Sequence, residues 1–137
     1  MLIPKKVKYR KTQKGKCRGI AVLGNQMHFG EYGLKVLENG RIKAIHIEAC
    51  RVVVARKLKG AGRFWVNIFP NKPVTKKPAE TRQGKGKGDV DHWVAVVKRG
   101  KVVFELSGIP EEFARFVFRL VAFKLPLKTR FISRASS

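Results

Sequence analysis

The first thirty residues of this 137-residue chain contain no acidic side chain, although eight of the first eighteen are Lys or Arg. A segment with so many like charges and so few apolar residues cannot bury a core of its own. We therefore predict that residues 1–28 form an extended basic arm that a polyanion orders, with a solvated tail as the competing interpretation. The cations expected to bind are Lys5, Lys6, Lys8, Arg10, Lys11, Lys14, Lys16 and Arg18.

The charge imbalance extends over the whole chain. Thirty-one Lys and Arg against nine Asp and Glu give a net charge of +22, which repels itself unless a polyanion neutralises it. No long amphipathic basic helix dominates the sequence, which favours nucleic acid over a membrane surface. Tyr9 within the arm favours RNA, because an aromatic ring can stack on a base. No secretory signal and no apolar window of membrane-spanning length is evident, so we expect no membrane partner.

Length and cysteine usage limit the architecture. A chain of this length with 44% hydrophobic residues is expected to form a single domain, residues 1–137, around one core. Cys17, Cys50 and the three scattered histidines show neither a disulfide framework nor zinc-ligand spacing. We therefore expect no metal and no cofactor, and interpret Cys50 as a reduced core residue.

A glycine-alternating basic loop, residues 79–89, lies between two segments with strand character. Glycine at every second position lets the backbone approach another surface closely, so its amides and the side chains of Arg82, Lys85 and Lys87 suit phosphate. A nucleotide-binding P-loop is excluded because Asp89 stands where that motif needs Lys followed by Ser or Thr. A merely soluble hairpin connection is the alternative.

Two segments have helical periodicity. In residues 43–59 the apolar stripe is Ile47, Cys50, Val54 and Leu58, widened by Ile45, Val52 and Val53. Ile109-Pro110-Glu111-Glu112 has the composition of a helix start, and Pro126 ends that second element. Its core face is predicted to contain Phe113, Val117, Leu120 and Val121, enlarged by Phe116, Phe118 and Phe123.

The remaining apolar segments are predicted to be strands. Residues 63–69 are apolar on both alternations, which indicates a strand buried on two sides, with Trp65 either in the core or serving as a stacking platform. Prolines 70, 73 and 78 then argue against regular pairing. Residues 90–98 and 101–106 are typical of a β-hairpin across Arg99-Gly100, and residues 128–133 of an edge strand that presents cations.

Asp89, Asp91 and His92 are the nearest approach to a catalytic cluster. Neighbouring strand residues point to opposite faces, so Asp91 and His92 do not form an evident general-base pair. A solvated strand start is the simpler interpretation, and an RNA-processing enzyme that uses His92 with either aspartate is an alternative hypothesis.

The order of motifs resembles the bacterial-type large-subunit ribosomal protein L sixteen family over nearly the whole chain. The similarity rests on Pro4-Lys5, Phe29-Gly30, Gly33-Leu34, Ile47-Glu48-Ala49 with Arg51, Phe69-Pro70, Lys72-Pro73-Val74-Thr75, Arg82, Gly84-Lys85-Gly86-Lys87-Gly88, Trp93-Val94-Ala95, Pro110-Glu111-Glu112 and Lys124-Leu125-Pro126. The sequence departs from the family pattern at Gln83, usually Met, and at Lys43, usually a Thr helix cap. Ile45 and Val52 also replace polar residues.

This resemblance implies an α+β fold in which two helices pack on a mixed, mostly antiparallel sheet, with a basic N-terminal arm and a long basic glycine-rich loop. It implies a non-enzymatic monomer of the large ribosomal subunit, bound to rRNA near the aminoacyl-tRNA site. The loop that reaches towards tRNA and the peptidyl-transferase region is Arg82, Gln83, Gly84, Lys85, Gly86, Lys87 and Gly88. Further expected RNA contacts are Arg51, Lys72, Lys76, Lys77, Lys128 and Arg130.

The expected partners are large-subunit rRNA, tRNA in the aminoacyl site and neighbouring ribosomal proteins. The expected location is the bacterial cytoplasm, or an organelle with bacterial-type ribosomes. A free RNA chaperone explains the charge equally well and is kept as the alternative to an architectural role.

Overall fold

A computed structural model describes residues 26–75 and 90–134 of the chain. The predicted arm up to residue 25, residues 76–89 with the predicted glycine-rich loop 79–89, and the last three residues lie outside the described residues. In the described part, two helices and seven strands follow one another as β1 (Tyr32–Val36), β2 (Gly40–Lys43), α1 (Ala44–Leu58), β3 (Arg63–Val66), β4 (Lys72–Thr75), β5 (Val90–Val97), β6 (Val102–Ser107), α2 (Glu111–Ala122) and β7 (Thr129–Ser133).

The strands form two sheets. One has four strands in the order β3-β6-β1-β7 and the other three in the order β2-β5-β4. Every described pairing is antiparallel. The α+β class is therefore confirmed, whereas the expected single mixed sheet is replaced by two antiparallel ones. Both sheets and both helices contribute to one hydrophobic core, which runs from Leu34 and Ile42 to Phe118 and Leu125.

The predicted hairpin across Arg99-Gly100 is wrong. The chain does turn there, since the Lys101 amide donates to the Lys98 carbonyl at 3.1 Å, but β5 pairs with β2 and β4, while β6 pairs with β1 and β3. The last residue of β1 is hydrogen-bonded to the turn residues. Gly100 N–H donates to Val36 O at 2.8 Å, and Val36 N–H donates to Lys101 O at 3.0 Å. These bonds direct β6 to the four-stranded sheet.

Two further predictions were wrong because the strands concerned, β4 and β3, lie at sheet edges. Pro73 lies inside β4, opposite Trp93, because β4 is an edge strand whose outer side needs no amide donor. The strand predicted at residues 63–69 ends at Val66 and forms the edge of its sheet, so it is not buried on both sides. Phe64 and Val66 pack on the core, while Arg63 is exposed.

The helix α1 confirms the predicted stripe: Ile47, Cys50, Val54 and Leu58 are buried. Ile45 is 57% exposed and does not widen the buried face as predicted. Lys43 is the N-cap residue of the helix, but its side chain has no acceptor atom with which to cap a backbone amide. Instead, the Lys43 amide donates a hydrogen bond to His46 Nδ1 at 3.3 Å. Burial and the nearby Lys43 charge both lower the pKa of His46, which keeps the ring neutral for this role.

The helix α2 confirms the predicted start after Pro110 and packs Ala114, Val117, Phe118 and Val121 into the core. Phe116 and Phe123 are 42% and 79% exposed, so the prediction that they enlarge the core face was wrong. The two helices meet where Cys50 Sγ lies 3.8 Å from the Val121 carbonyl oxygen. Burial raises the pKa of Cys50 to about 12, as expected of a reduced core thiol.

The four-stranded sheet covers the core with one face only. Its other face, here called the outer face, is defined by the strand residues that alternate with the core residues: Arg63, Trp65, Glu105, Gly33, Lys35, Arg130 and Ile132. Trp65, Glu105, Gly33 and Ile132 are consecutive cross-strand partners, so they form one row across the sheet.

Glu105 is the fully buried acid in that row, and it holds the segment that precedes β1. Its Oε1 accepts the backbone amides of His28, Phe29 and Gly30, each at 3.0 Å, and its Oε2 accepts the Asn67 side-chain amide. Three successive N–H groups around one oxygen form an anion-binding nest. The approach requires Gly30, because a Cβ there would lie 2.6 Å from the Leu106 carbonyl oxygen.

These bonds also set the protonation state of Glu105. Burial acts to raise the pKa of this carboxyl, but the amides of Gly30, Asn67, Phe29 and His28 favour the charged form and hold the pKa below its ordinary value. The carboxylate therefore contributes stability above the unfolded-state pKa, and this contribution is lost as the pH falls through the lower folded-state pKa.

We expect Glu105→Gln to lower the free energy of unfolding at pH 7 by about 1–3 kcal/mol, since a charged acceptor of four donors is lost. The difference from the wild type should shrink below about pH 4, where the wild-type carboxylate is progressively protonated. Urea denaturation from neutral to acidic pH measures both effects. Glu31→Gln, at an exposed glutamate, is the matched control. A pH-independent difference for Glu105→Gln would contradict this assignment.

Candidate nucleic-acid interface

The outer face combines cations with exposed aromatic rings. Lys35 on β1 and Arg130 on β7 are direct cross-strand partners on it. Like charges in this arrangement destabilise a free sheet. Within residues 26–75 and 90–134, neither side chain belongs to the ion pairs Arg51–Glu48 and Arg115–Glu111. A polyanion that lies across the sheet would relieve this repulsion. The outer face is therefore a described surface suited to phosphate.

Aromatic side chains lie at the other end of the same face. Phe29 is 60% exposed and stacks on Trp65, with ring centroids 5.9 Å apart and planes inclined by 19°. Beside it runs a groove lined by His28, Phe29, Val66, Asn67, Ile68, Phe69 and Lys101. Trp65 is half-buried, so it is neither a core residue nor by itself the exposed platform; Phe29 covers it.

Four of the predicted RNA-contacting cations fall within the described residues. Arg130 lies on the outer face, and Lys128 is exposed just before β7, where its carbonyl accepts the Leu37 amide at 2.8 Å. Lys72 is half-buried in β4, and Arg51 is exposed on α1, where it pairs with Glu48. The structure brings Lys128 and Arg130 together at the start of β7, and it places Lys72 in the other sheet and Arg51 on a helix.

The remaining predicted contacts lie outside the described residues. The loop cations Lys76, Lys77, Arg82, Lys85 and Lys87 belong to this group, as do the eight cations of the arm. The base of the loop is nevertheless defined, because Thr75 at the end of β4 is the cross-strand partner of Val90 at the start of β5. Residues 76–89 thus connect two paired antiparallel strands.

Sequence reasoning missed Lys35, Phe29 and Glu105. The only sign of Lys35 in the sequence is that it is a single cation within an apolar strand. Its position opposite Arg130 depends on the pairing of two strands that lie more than ninety residues apart in the chain. Phe29 was noted only as part of a family motif. The alternation of side chains along β6 places Glu105 on the other face of the strand from Phe104 and Leu106. Nothing in the local sequence indicates that three backbone amides approach its carboxylate.

The alternative enzymatic hypothesis gains no support from the described residues. His92 is half-buried in β5 and faces Val74 of β4 across the pair. No three His, Cys, Asp or Glu side chains converge on a possible metal position within residues 26–75 and 90–134. Over the same ranges, neither helix has the length and apolar character required to cross a bilayer.

Comparison with known proteins identifies the family to which the chain belongs. The family model described as ribosomal protein L16p/L10e matches residues 4–132. The chain belongs to this ribosomal protein family. The resemblance drawn from the sequence motifs is thereby confirmed, and members of the L16p/L10e family are structural proteins and not enzymes.

Two curated relatives agree over almost their whole length. The chain is 54% identical over 132 residues to the large ribosomal subunit protein uL16 of Sulfurihydrogenibium sp. (strain YO3AOP1), which covers 96% of each chain. It is 52% identical over 134 residues to the protein of the same name from Buchnera aphidicola subsp. Baizongia pistaciae (strain Bp), with 98% coverage of each. RNA binding is consistent with membership of this family and with the net charge of +22.

Neutralising one member of the facing cation pair should have opposite effects on folding and binding. We expect Arg130→Gln to leave the free protein equally stable or more stable by up to about 1 kcal/mol, because the repulsion with Lys35 is removed. Affinity for ribosomal RNA should fall, and the slope of log K against log salt should become shallower by about 0.7 to 0.9. Urea denaturation and a filter-binding salt series measure the two effects.

Arg56→Gln removes the same charge from the exposed last turn of α1 and is the control. It should leave the salt slope closer to that of the wild type. Equal slopes for the two variants would show that the outer face has no special part in RNA binding.

Proposed function

We propose that this protein is a structural constituent of the large ribosomal subunit, where it binds large-subunit rRNA and contacts neighbouring ribosomal proteins. The chain is a single domain and a monomer within the ribosome. Its role is architectural: the cations fix the positions of RNA phosphates, and none of its side chains takes part in peptide transfer. Phosphate contacts hold the RNA without reading its sequence.

The observation that carries this proposal is the pairing of Lys35 with Arg130 on a sheet face that also exposes Phe29. A free protein gains nothing from two facing cations, whereas an RNA backbone lying across β1 and β7 neutralises both. His28 and Phe29, where the predicted arm meets the domain, lie at this same face, because their amides are bound to Glu105. The arm and the outer face would thus bind contiguous RNA.

The glycine-rich loop supplies the second part of the proposed function. It leaves the three-stranded sheet from the paired residues Thr75 and Val90, so its base is fixed while its glycines permit close approach. We propose that residues 82–88 reach the aminoacyl-tRNA site and the peptidyl-transferase region, where Arg82, Lys85 and Lys87 contact phosphates. In this way the protein supports subunit assembly and positions tRNA during translation.

The proposed place of action is a bacterial-type ribosome in the cytoplasm, or in an organelle that retains such ribosomes. Sedimentation of a lysate at moderate and high salt tests the assignment directly. The protein should travel with the large subunit and remain there at salt concentrations that release loosely held cationic proteins. Release at modest salt, with spreading over all RNA fractions, would favour the free RNA chaperone.

Arg82→Ala tests the role of the loop separately. Because one loop cation among many contributes little to total affinity, the variant should still assemble into large subunits, while the rate of peptide synthesis and aminoacyl-tRNA binding should fall. Purified subunits carrying the variant, assayed for occupancy and for translation, give the two values. Arg56→Ala on α1 is the control, and it should change neither. Normal translation by Arg82→Ala subunits would contradict a role of the loop in tRNA positioning.

A further inference from the structure

We infer that the groove beside Phe29 is a stacking site for an unpaired RNA base, with Phe29 as its platform and Phe69 and Lys101 at its borders. This inference rests on the proposed function, since it takes RNA as the partner. It adds a specific recognition mode, because phosphate contacts alone do not distinguish paired from unpaired RNA.

The first argument is the exposure of rings in a fixed position. Phe29 and Phe69 are 60% and 47% exposed, although both line the same groove. One face of the Phe29 ring rests on Trp65 at 5.9 Å between centroids, so most of its exposed area is available on the solvent side. Stacking on a flat, exposed ring is how proteins bind bases of single-stranded RNA.

The second argument is rigidity. The Phe29 amide donates to Glu105 Oε1 at 3.0 Å, between the equivalent bonds of His28 and Gly30. A platform that is held by its own backbone loses little conformational entropy when a base stacks on it. The ring is therefore ordered before RNA binds, and the exposure of its apolar area is a permanent feature of the fold.

The third argument is the charge and hydrogen bonding of the groove. Its described lining contains Lys101 and His28 and no acidic side chain. Glu105 lies beneath it, but this carboxylate is fully buried and both of its oxygens accept hydrogen bonds. The Asn67 amide is also engaged, with Glu105 and with the Val102 carbonyl at 3.4 Å. A cation beside a flat apolar ring matches a nucleotide, with Lys101 positioned for the phosphate.

Two RNA probes separate stacking from charge: an oligoadenylate of about a dozen nucleotides, and a fully paired duplex of the same length, which offers no unstacked base. Binding of each to the full-length protein is measured by fluorescence anisotropy. We expect Phe29→Ala to weaken binding of the single strand about 5- to 100-fold and binding of the duplex less than about twofold. The salt slope should not change, since no charge is removed.

Conservative variants distinguish a stacked ring from mere apolar area. Phe29→Trp should retain single-strand affinity, whereas Phe29→Leu should lose it as Phe29→Ala does. Phe123→Ala is the matched control, because Phe123 follows the last residue of α2, is 79% exposed and lies outside the groove. It should bind both probes like the wild type.

The possible failures are distinguishable. If the wild type binds neither the probes nor ribosomal RNA, the proposed function fails and the stacking site fails with it. If the wild type binds RNA but Phe29→Ala and Phe123→Ala bind the single strand equally well, the stacking inference is overturned while the proposed function stands. The same conclusion follows if Phe29→Ala weakens both probes by the same factor, because that pattern indicates a structural role.

Discussion

The carboxylate of Glu105 is the interaction on which the proposed RNA-binding surface depends. It is buried in β6, and within the part of the chain that the structure describes its charge is stabilised by three backbone amides and the amide of Asn67. A buried carboxylate left without such donors would cost several kcal/mol, so the segment that supplies the amides is held firmly. That segment is the connection between the basic arm and the domain. One acidic residue thus fixes where a long cationic segment joins the sheet.

The division of the strands into two sheets explains why one face of the four-stranded sheet lies outside the shared core. Both sheets and both helices share one core, which uses one face of the four-stranded sheet. Its outer face is covered near Gly33 by Met27, whose Sδ would lie 2.9 Å from a Cβ at that position, and elsewhere it carries Lys35, Arg130 and Phe29. The three-stranded sheet provides the paired base of the glycine-rich loop. The four-stranded sheet therefore carries the cations of the outer face, and the three-stranded sheet carries the strands on either side of the glycine-rich loop. The shared core sets the position of one sheet relative to the other.

Local patterns predicted the elements well and their pairing poorly. The stripe of Ile47, Cys50, Val54 and Leu58 identified α1 because helical periodicity is a property of neighbouring residues. The hairpin after β5 was predicted from an equally good turn, Arg99-Gly100, but hydrogen bonds from Val36 redirect the chain into the other sheet. Such a competition between a local turn and a distant strand is not visible in a window of sequence.

The candidate site shows the same division. The excess of cations and the glycine spacing indicated an RNA-binding protein with a projecting loop, since charge and composition are read directly from the chain. The Lys35–Arg130 pair and the seat of Phe29 on Trp65 depend on the register of β7, β1, β6 and β3. Glu105 appeared as an isolated acid in an apolar strand. Its role became evident only from the approach of a segment 75 residues away in sequence.

Lysine acetylation footprinting tests most directly whether the outer face is the RNA-binding face. The protein is acetylated briefly, free and in purified large subunits, and the extent at each lysine is determined by peptide mass spectrometry. Lys35 and Lys101 should be strongly protected in the subunit relative to the free protein, and more so than Lys57, which lies near Phe116 on the helical side. Equal reactivity of Lys35 and Lys101 in the two states, with protection confined to the helices, would contradict the account.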